Sequence, residues 1–196
     1  MAQWDAETAE WYAASYGDYP TNRLAVDGLD LPTDATVVDI GCGTGAALRH
    51  AADRITEGRL IGVDPVPRMI EIAQEKTLGH PGSARIEFRL GSAESMPVAD
   101  RVADLVFAFD SIDHWRDVQQ GLGEVRRVLA PGGTIVVVKD AAVPGAARAR
   151  RQLVHTLERA GLRLVGQREI DAEGVRFTLW TWLQAEDDDQ VRKRSA

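Results

Sequence analysis

The hydrophobic positions change period several times along the chain, and each change predicts a new element of secondary structure. Short apolar runs predict five buried strands, at residues 36–41, 59–64, 85–90, 103–110 and 134–140. Apolar residues at helical spacing predict four helices, at residues 46–55, 65–79, 118–129 and 152–162. The sequence APGG is expected to end the third of these helices. A hairpin follows, because the turn-forming sequence DAEG joins two further predicted strands, 163–170 and 175–185.

This alternation of strands and helices predicts an α/β fold of the doubly wound, Rossmann-like type. We expect a mostly parallel sheet with helices on both faces, to which the C-terminal hairpin adds one antiparallel strand at or near an edge. Sheets of this kind bind ligands beyond the carboxyl ends of their strands, where the strand order reverses. The glycine-rich sequence after the first strand is therefore the expected binding site.

Composition and charge narrow the possible functions. The 196 residues suit one domain, and the net charge of -7 disfavours nucleic acid as a partner. Cys42, the single cysteine, cannot form an internal disulfide, which predicts a reducing compartment and a cytoplasmic location. The acidic N-terminal sequence does not resemble a signal peptide, and no run reaches ~18 apolar residues, so we expect no membrane span.

Residues 37–47 read VVDIGCGTGAA and carry the most specific chemistry of the chain. Gly41, Gly43 and Gly45 permit a tight turn and let a ligand approach the backbone closely. Many nucleotide-binding proteins have such turns, but Asp39 narrows the choice, because a carboxylate opposes a pyrophosphate and favours a ligand with an ammonium and a sulfonium group. The spacing also differs from the GxGxxG of dinucleotide-binding folds. A solvated or helix-capping acid is the alternative for Asp39, although an unpaired charge inside an apolar strand is costly.

Several motifs, in order, resemble those of the class I S-adenosylmethionine-dependent methyltransferases. VVDIGCGTG is similar to the first motif of that family, and GVDPVPRMIEIA to the second, in which an acid closes the second strand. GSAESMP resembles the adenine-contacting segment, while ADLVFAFDSIDHW and EVRRVLAPGGTIVVV resemble the fourth strand and the helix, turn and strand after it. The resemblance runs from Trp11 to Trp182 and implies a small single-domain protein whose seven-stranded sheet has an antiparallel seventh strand.

The resemblance implies S-adenosyl-L-methionine as the cofactor and S-adenosyl-L-homocysteine as the product. It also implies a set of cofactor-binding residues: Asp39, Gly41, Cys42, Gly43, Gly45, Asp64, Pro65, Met69, Ser92, Ala93, Glu94, Asp110 and Ser111. In this scheme the glycines hold the methionine part and Asp39 orients its ammonium group. Asp64 accepts hydrogen bonds from both ribose hydroxyls, which requires two acceptor oxygens. Met69, Ala93 and Glu94 border the adenine ring.

Structural roles are the alternatives for some of these residues. Asp64 also suits the N-cap of the following helix, which does not exclude ribose binding. Met69 suits an apolar helix face, and Cys42 suits a packing position without thiol chemistry. Ser92 departs from the family pattern, in which an aspartate often contacts the adenine amino group, and its hydroxyl accepts a weaker hydrogen bond than a carboxylate does.

The reaction of this family is an in-line attack on an already activated methyl group, so the protein mainly aligns the two reactants. His114, in the sequence DSIDHW just beyond the fourth strand, is the candidate general base. A structural or cofactor-pocket role is the alternative for His114. No spacing of His, Cys, Asp and Glu residues resembles a metal site, so no metal is expected.

The first twenty residues hold all three tyrosines of the chain and two of its five tryptophans. The helical spacing of Tyr12 and Tyr16 predicts that residues 1 to about 20 form a helix that closes over the cofactor and holds a planar or apolar acceptor. Plain packing against the sheet edge is the alternative. Trp115 and Lys139 are further candidate substrate residues. For Lys139 the alternative is a solvated position at the end of a strand. The short segment at 141–151 suggests an open site.

These patterns predict three regions: an N-terminal helical lid or cap at residues 1–30, an S-adenosylmethionine-binding core at 31–186 and a charged tail at 187–196. The leading hypothesis is a methyltransferase, monomeric or homodimeric, that acts on an O, N or C nucleophile of a small molecule. The alternatives are a non-catalytic S-adenosylmethionine-binding module and an NAD(P)-dependent reductase. The carboxylate of Asp39 and the spacing of the glycines both disfavour the hypothesis of a reductase.

Overall fold

Seven strands form one sheet at the centre of the chain, for which the computed structural model describes residues 5–140 and 146–184. The strands are β1 Thr36–Ile40, β2 Arg59–Asp64, β3 Ile86–Leu90, β4 Ala103–Phe109, β5 Leu129–Asp140, β6 Leu162–Ala172 and β7 Val175–Gln184. Their order across the sheet is β3-β2-β1-β4-β5-β7-β6. The first five strands pair in parallel, whereas β7 runs antiparallel to β5 and β6. The predicted fold class is therefore confirmed.

Helices cover both faces of this sheet. Within the described residues they are α1 Ala6–Tyr16, α2 Pro20–Asp27, α3 Ala46–Ala52, α4 Pro67–Thr77, α5 Val118–Val128 and α6 Ala146–Arg159, with 3-10 turns at Ser83–Arg85 and Ile112–His114. Asp5 and Asp117 cap α1 and α5 by accepting hydrogen bonds from backbone N–H groups of the first turn. Pro20 and Pro67 occupy the first turns of α2 and α4, where a missing N–H costs nothing.

The alternating side chains of β1 separate two hydrophobic clusters. Val38 and Ile40 join the cluster that α5 and α6 cover, which also contains Leu122 and Leu157. Val37 joins the cluster on the opposite face, beneath α2 and α3. Because side chains alternate along a strand, the carboxylate at position 39 belongs to the same face as Val37, at the end of an otherwise apolar strand.

The order of the strands reverses at β1. The chain proceeds from β1 to β2 and β3 on one side, and then returns to place β4 against the other side of β1. A crevice for a ligand forms at such a point, because the connections leave the carboxyl ends of the two strands in opposite directions. The glycine loop at residues 41–45 lies at this point, as the sequence predicted.

Several predicted boundaries differ from the structure: the helix predicted at 46–55 ends at Ala52, and the helix predicted at 152–162 is α6 Ala146–Arg159. A single helix over the first twenty residues is wrong, because α1 ends at Tyr16 and α2 begins at Pro20. Proline lacks an N–H group and is accepted only in a first turn, so α1 cannot run through Pro20. The sequence APGG does not separate helix from strand but lies within β5, because Leu129 already pairs with Ala103 of β4 and the ladder shifts register there.

Several predictions fall on residues outside the described ranges. These are residues 1–4 of the expected lid, residues 185–186 of the expected core, the tail at 187–196 and residues 141–145 of the segment that follows β5.

We expect Leu122→Ala to lower the free energy of unfolding by about 2–5 kcal/mol, because Leu122 is fully buried between α5 and the sheet and alanine leaves a cavity. Urea denaturation measures this change. Gln119→Ala, on the exposed side of the same helix, is the matched control and should cost less than about 0.5 kcal/mol. Equal losses in the two variants would contradict the place given to Leu122.

Candidate functional site

The loop at residues 41–45 turns through three glycines in the left-handed region. Gly41, Gly43 and Gly45 have φ angles of 70°, 52° and 75°. A Cβ atom at Gly41 would lie 2.7 Å from Cβ of Ser111, and one at Gly45 would lie 2.6 Å from Cζ of Phe88. Both the backbone conformation and the close packing therefore require glycine at these two positions.

Asp64, at the end of β2, faces this loop with its carboxylate held at both oxygens. Its Oδ2 accepts a hydrogen bond from the N–H of Gly43 at 3.1 Å, and its Oδ1 accepts one from the N–H of Val66 at 2.9 Å. Burial raises the pKa of Asp64, while these two N–H groups oppose that shift. Each oxygen keeps a lone pair, so this fixed carboxylate can accept two further hydrogen bonds from a pair of ligand hydroxyls.

Asp39 is a buried carboxylate whose charge is not balanced within the described residues. The residue is 2% exposed, and within the described residues no donor forms a hydrogen bond with its carboxylate. Burial, and next the nearby charge of Asp64, raise the pKa of Asp39 to about 7. A cationic group bound beside Asp39 and Asp64 would favour their ionised forms, so the site fits a ligand that carries positive charge.

Tyrosines from α1 complete a pocket above the loop. The lining consists of Tyr12, Tyr16, Asn22, Asp39, Gly41, Cys42, Gly43, Thr44 and Phe109. Burial raises the pKa of Tyr12, and the charges of Asp110, Asp64 and Asp39 raise it further. The ring centroids of Tyr12 and Tyr16 lie 5.5 Å apart, so the two rings form one aromatic wall opposite the carboxylates.

Contacts from the middle of α1 and from the residues just beyond its C-terminal end attach this helix to the core. Arg68 of α4 forms an ion pair with Glu10 at 2.6 Å. Beyond the helix, the hydroxyl of Thr44 donates a hydrogen bond to the carbonyl oxygen of Gly17 at 2.8 Å. Lys76 lies 3.1 Å from Asp18 in a second ion pair with α4. The aromatic wall is therefore held over the glycine loop and not displayed on a free helix.

The loop after β3 places Ser92, Ala93 and Glu94 beside the start of α5. Oε1 of Glu94 accepts hydrogen bonds from the N–H groups of Arg116 and Asp117, at 2.6 and 3.0 Å. The side chain of Glu94 therefore joins this loop to the connection between β4 and α5. Ala93 is buried in the hydrophobic cluster beneath α5.

The remaining candidates lie in different surroundings. Met69 is buried in an apolar cluster between α1 and α4, whereas Pro65 is exposed. Trp115 is buried in the cluster beneath α5, and His114 is exposed in the 3-10 turn. Cys42 is among the residues that line the pocket, and burial raises the pKa of its thiol, which disfavours the thiolate.

The carboxyl ends of β4 and β5 bring together Asp110, Ser111 and Lys139. Nζ of Lys139 lies 2.5 Å from Oδ2 of Asp113 and 3.7 Å from Oδ1 of Asp110. Asn22, Thr44 and Phe109 were not predicted for this region although they line the pocket. Thr44 lies within the glycine motif and was therefore accessible to sequence reasoning, but no local pattern singles out a residue such as Asn22.

The described part of the chain contains no group of three or more His, Cys, Asp or Glu side chains arranged to hold a metal ion. None of its helices has the length and apolar character needed to cross a membrane.

Comparison with known proteins identifies relatives of the part of the chain that contains the glycine loop and the strands around it. A family model described as a methyltransferase domain matches residues 38–137. The chain is 32% identical over 117 residues to a 2-phytyl-1,4-naphtoquinone methyltransferase of Thermosynechococcus vestitus. The aligned region covers 59% of the chain and 51% of that protein. It is 33% identical over 124 residues to a demethylmenaquinone methyltransferase of Desulfitobacterium hafniense, over 62% of the chain and 49% of that protein. The chain thus spans about half the length of these relatives.

A solved structure shares the fold over nearly the whole chain. It is a SAM-dependent methyltransferase from Aquifex aeolicus, with a TM-score of 0.74 and 19% sequence identity, and the match covers 92% of this chain and all (100%) of that one.

We expect Asp39→Asn to stabilise the ligand-free protein at neutral pH. An acid with a raised folded-state pKa holds its proton when the unfolded chain has lost it, so the wild type loses stability as the pH rises from the ordinary aspartate pKa of 3.8 to the folded-state pKa of about 7. The variant lacks this loss and should be more stable by on the order of 4 kcal/mol above neutrality, with little difference below pH 3.8. Urea denaturation across this pH range, with the exposed Asp34→Asn as control, measures the effect. A stability difference between the variant and the wild type that does not vary with pH would contradict the raised pKa of Asp39.

Proposed function

The chain belongs to the family of class I S-adenosylmethionine-dependent methyltransferases, whose domain model matches residues 38–137, and on this basis we propose that it methylates a small molecule. The transfer goes from S-adenosylmethionine to an O, N or C nucleophile of the acceptor. When bound, this cofactor supplies a methyl group that its sulfonium already activates. The protein contributes binding, alignment of the two reactants and exclusion of water.

The observation that carries the proposal is the pair of buried carboxylates at the glycine loop. Asp39 lines the pocket together with Gly41 and Gly43, and the nearby charge of Asp64 raises the pKa of Asp39. A ligand with an ammonium and a sulfonium group supplies the positive charge that two such acids favour. A dinucleotide would bring a pyrophosphate to the same place, where repulsion disfavours it. Comparing protein melting with S-adenosylmethionine and with NADH, each added separately, tests this choice.

Several of the predicted cofactor residues have a specific task in this proposal. Asp64 binds the two ribose hydroxyls, since its remaining lone pairs are directed by the N–H groups of Gly43 and Val66. Asp39 orients the ammonium group, and the glycine loop lets the methionine part approach the backbone. Ser92 and Ala93, in the loop after β3, border the adenine.

The acceptor belongs, in this proposal, to the planar small molecules. Two of the matched relatives are named as methyltransferases of 2-phytyl-1,4-naphtoquinone and of demethylmenaquinone. In this chain the aromatic wall of Tyr12 and Tyr16 offers stacking surface next to the glycine loop. We propose residues 1–30 as a lid that covers both ligands, with α1 supplying the acceptor wall.

We expect Asp64→Ala to weaken the binding of S-adenosylmethionine by about ten- to a hundredfold, because two charge-assisted hydrogen bonds are lost. Titration calorimetry measures the dissociation constant, and an unchanged melting curve without ligand confirms that the variant folds. Asp53→Ala, an exposed acid beyond α3, is the control and should bind like the wild type. Unchanged affinity in Asp64→Ala would remove the ribose assignment.

We expect hydrogen exchange in α1 to slow when S-adenosylhomocysteine is added, because lid closure couples ordering of the helix to ligand contact. Backbone amides of residues 6–16 should gain protection together with those of the glycine loop. Amides of the hairpin at β6 and β7, on the far side of the sheet, serve as the internal reference. Protection of the loop alone would favour plain packing of α1 over a lid.

A further inference from the structure

Thr44 connects the glycine loop to the end of α1. It lies between Gly43 and Gly45 and is buried, with 4% of its surface exposed. Its hydroxyl donates a hydrogen bond to the carbonyl oxygen of Gly17 at 2.8 Å. Gly17 follows the last residue of α1, and its own N–H donates a hydrogen bond to the carbonyl oxygen of Ala13 at 3.1 Å. One buried hydroxyl therefore links the loop to the last turn of the helix.

The two segments approach each other as closely as glycine allows. A Cβ atom at Gly17 would lie 3.1 Å from Cγ2 of Thr44 and 2.3 Å from the carbonyl oxygen of Ala13. A larger residue at position 17 would therefore push the end of α1 away from the loop. The methyl group of Thr44 packs beside Gly17 while its hydroxyl makes the polar contact, so the position of one segment depends on the other.

Arg49 of α3 holds Thr44 from its backbone side. Nη1 of Arg49 donates a hydrogen bond to the carbonyl oxygen of Thr44 at 2.6 Å. Nη2 of the same guanidinium lies 3.5 Å from Oδ1 of Asp18, in the connection between α1 and α2. The side chain of Arg49 is only 13% exposed. This guanidinium therefore contacts both the glycine loop and the residue that follows Gly17, and it keeps Thr44 oriented toward the end of α1.

The helix that Thr44 contacts carries the aromatic wall. Tyr12 and Tyr16 line the pocket together with Thr44. Cε1 of Tyr12 lies 3.8 Å from the position that a Cβ atom at Gly43 would occupy, so this ring lies directly against the loop. Tyr16 immediately precedes Gly17 in the chain. A shift of the carbonyl group of Gly17 therefore moves the aromatic wall relative to the loop.

We propose that Thr44 is a positioning residue that transmits the binding of the cofactor at the glycine loop to α1. This inference rests on the proposed function. Ordering a helical lid costs conformational entropy. A ligand that fixes the loop also fixes the hydroxyl of Thr44, and through it the carbonyl oxygen of Gly17, so part of this entropy loss precedes the arrival of the acceptor. The cofactor therefore binds first, and the wall of Tyr12 and Tyr16 is then in place for the acceptor.

Direct contact of Thr44 with the cofactor is a different role. The hydroxyl has one proton, which it donates to Gly17. A ligand group that needs a donor can use this hydroxyl only if the hydrogen bond to Gly17 breaks, which separates the loop from α1. The two roles therefore predict opposite changes in the order of α1 when the cofactor binds.

Two substitutions at position 44 separate the hydroxyl from the methyl group. Thr44→Val keeps the shape and removes the hydroxyl, whereas Thr44→Ser keeps the hydroxyl and removes the methyl group. Hydrogen exchange is measured in the full chain, without ligand and with S-adenosylhomocysteine at a concentration that saturates each variant, so that differences in affinity do not enter.

We expect the amides of residues 6–16 and 41–45 both to gain protection in the wild type. In Thr44→Val the loop should keep its gain, while the gain in residues 6–16 should fall by about fivefold, because one buried hydrogen bond is lost. Thr44→Ser should recover most of the protection of α1. Melting curves without ligand establish that each variant folds.

Arg49→Met and Lys76→Met form a matched pair at the same carboxylate. Lys76 lies 3.1 Å from Oδ2 of Asp18, in an exposed ion pair that does not include Thr44. We expect Arg49→Met to reduce the ligand-induced protection of α1 as Thr44→Val does, and Lys76→Met to leave it unchanged. Equal effects would mean that only the charge of Asp18 matters and would overturn the inference. If Thr44→Val does not fold, this pair decides the question.

Full protection of α1 in Thr44→Val at saturation would overturn the inference, and so would a loss of equal size in Thr44→Ser. A wild-type protein that binds S-adenosylhomocysteine but gains protection in the loop alone would overturn the lid and this inference together, and leave methyl transfer standing. A wild-type protein that binds neither S-adenosylmethionine nor S-adenosylhomocysteine would overturn the proposed function itself.

Discussion

The tight turn after β1 constrains the whole carboxyl edge of the sheet. The N–H groups of Gly41 and Cys42 donate hydrogen bonds to the carbonyl oxygen of Val63, at 2.8 and 3.1 Å, and so tie the turn to β2. The N–H of Gly43 then fixes the carboxylate of Asp64. On the side of β4, Ser111 packs where a Cβ at position 41 would lie. Residues from three strands therefore depend on one left-handed backbone path, which only glycine adopts without strain.

The buried acids at this edge lower the stability of the ligand-free protein and favour the binding of a cationic ligand. An apolar strand that ends in a buried carboxylate carries a desolvation cost that a hydrophobic residue would not. Burial raises the pKa of both Asp39 and Asp64, and the charge of Asp64 raises the pKa of Asp39 further. A bound cation reverses the balance, since it stabilises the charged forms that the ligand-free protein disfavours. Residues that reduce stability in this way are common at functional sites.

The position of α1 depends more on packing than on its ion pairs. Ala9 and Ala13 are buried against Met69 and Ile72 of α4, which gives the helix an apolar contact surface. The ion pairs to α4 involve exposed acids, and such pairs contribute little to stability. The buried hydrogen bond from Thr44 to Gly17 fixes the end of the helix relative to the glycine loop. A helix attached mainly by small side chains has little buried contact area to lose, which is the condition that the proposed lid requires.

The sequence by itself determined the types of the core elements, the glycine turn and the acids that end β1 and β2. These features depend on side-chain periodicity and on backbone freedom, which are local properties. Only the tertiary structure decided that Trp115 lies in the core while Asn22 and Phe109 reach the pocket. It also decided the left-handed conformation of Asp110, because the N–H groups and carbonyls that hold it belong to β5. Pairing between strands distant in sequence produces such contacts, and no local pattern specifies them.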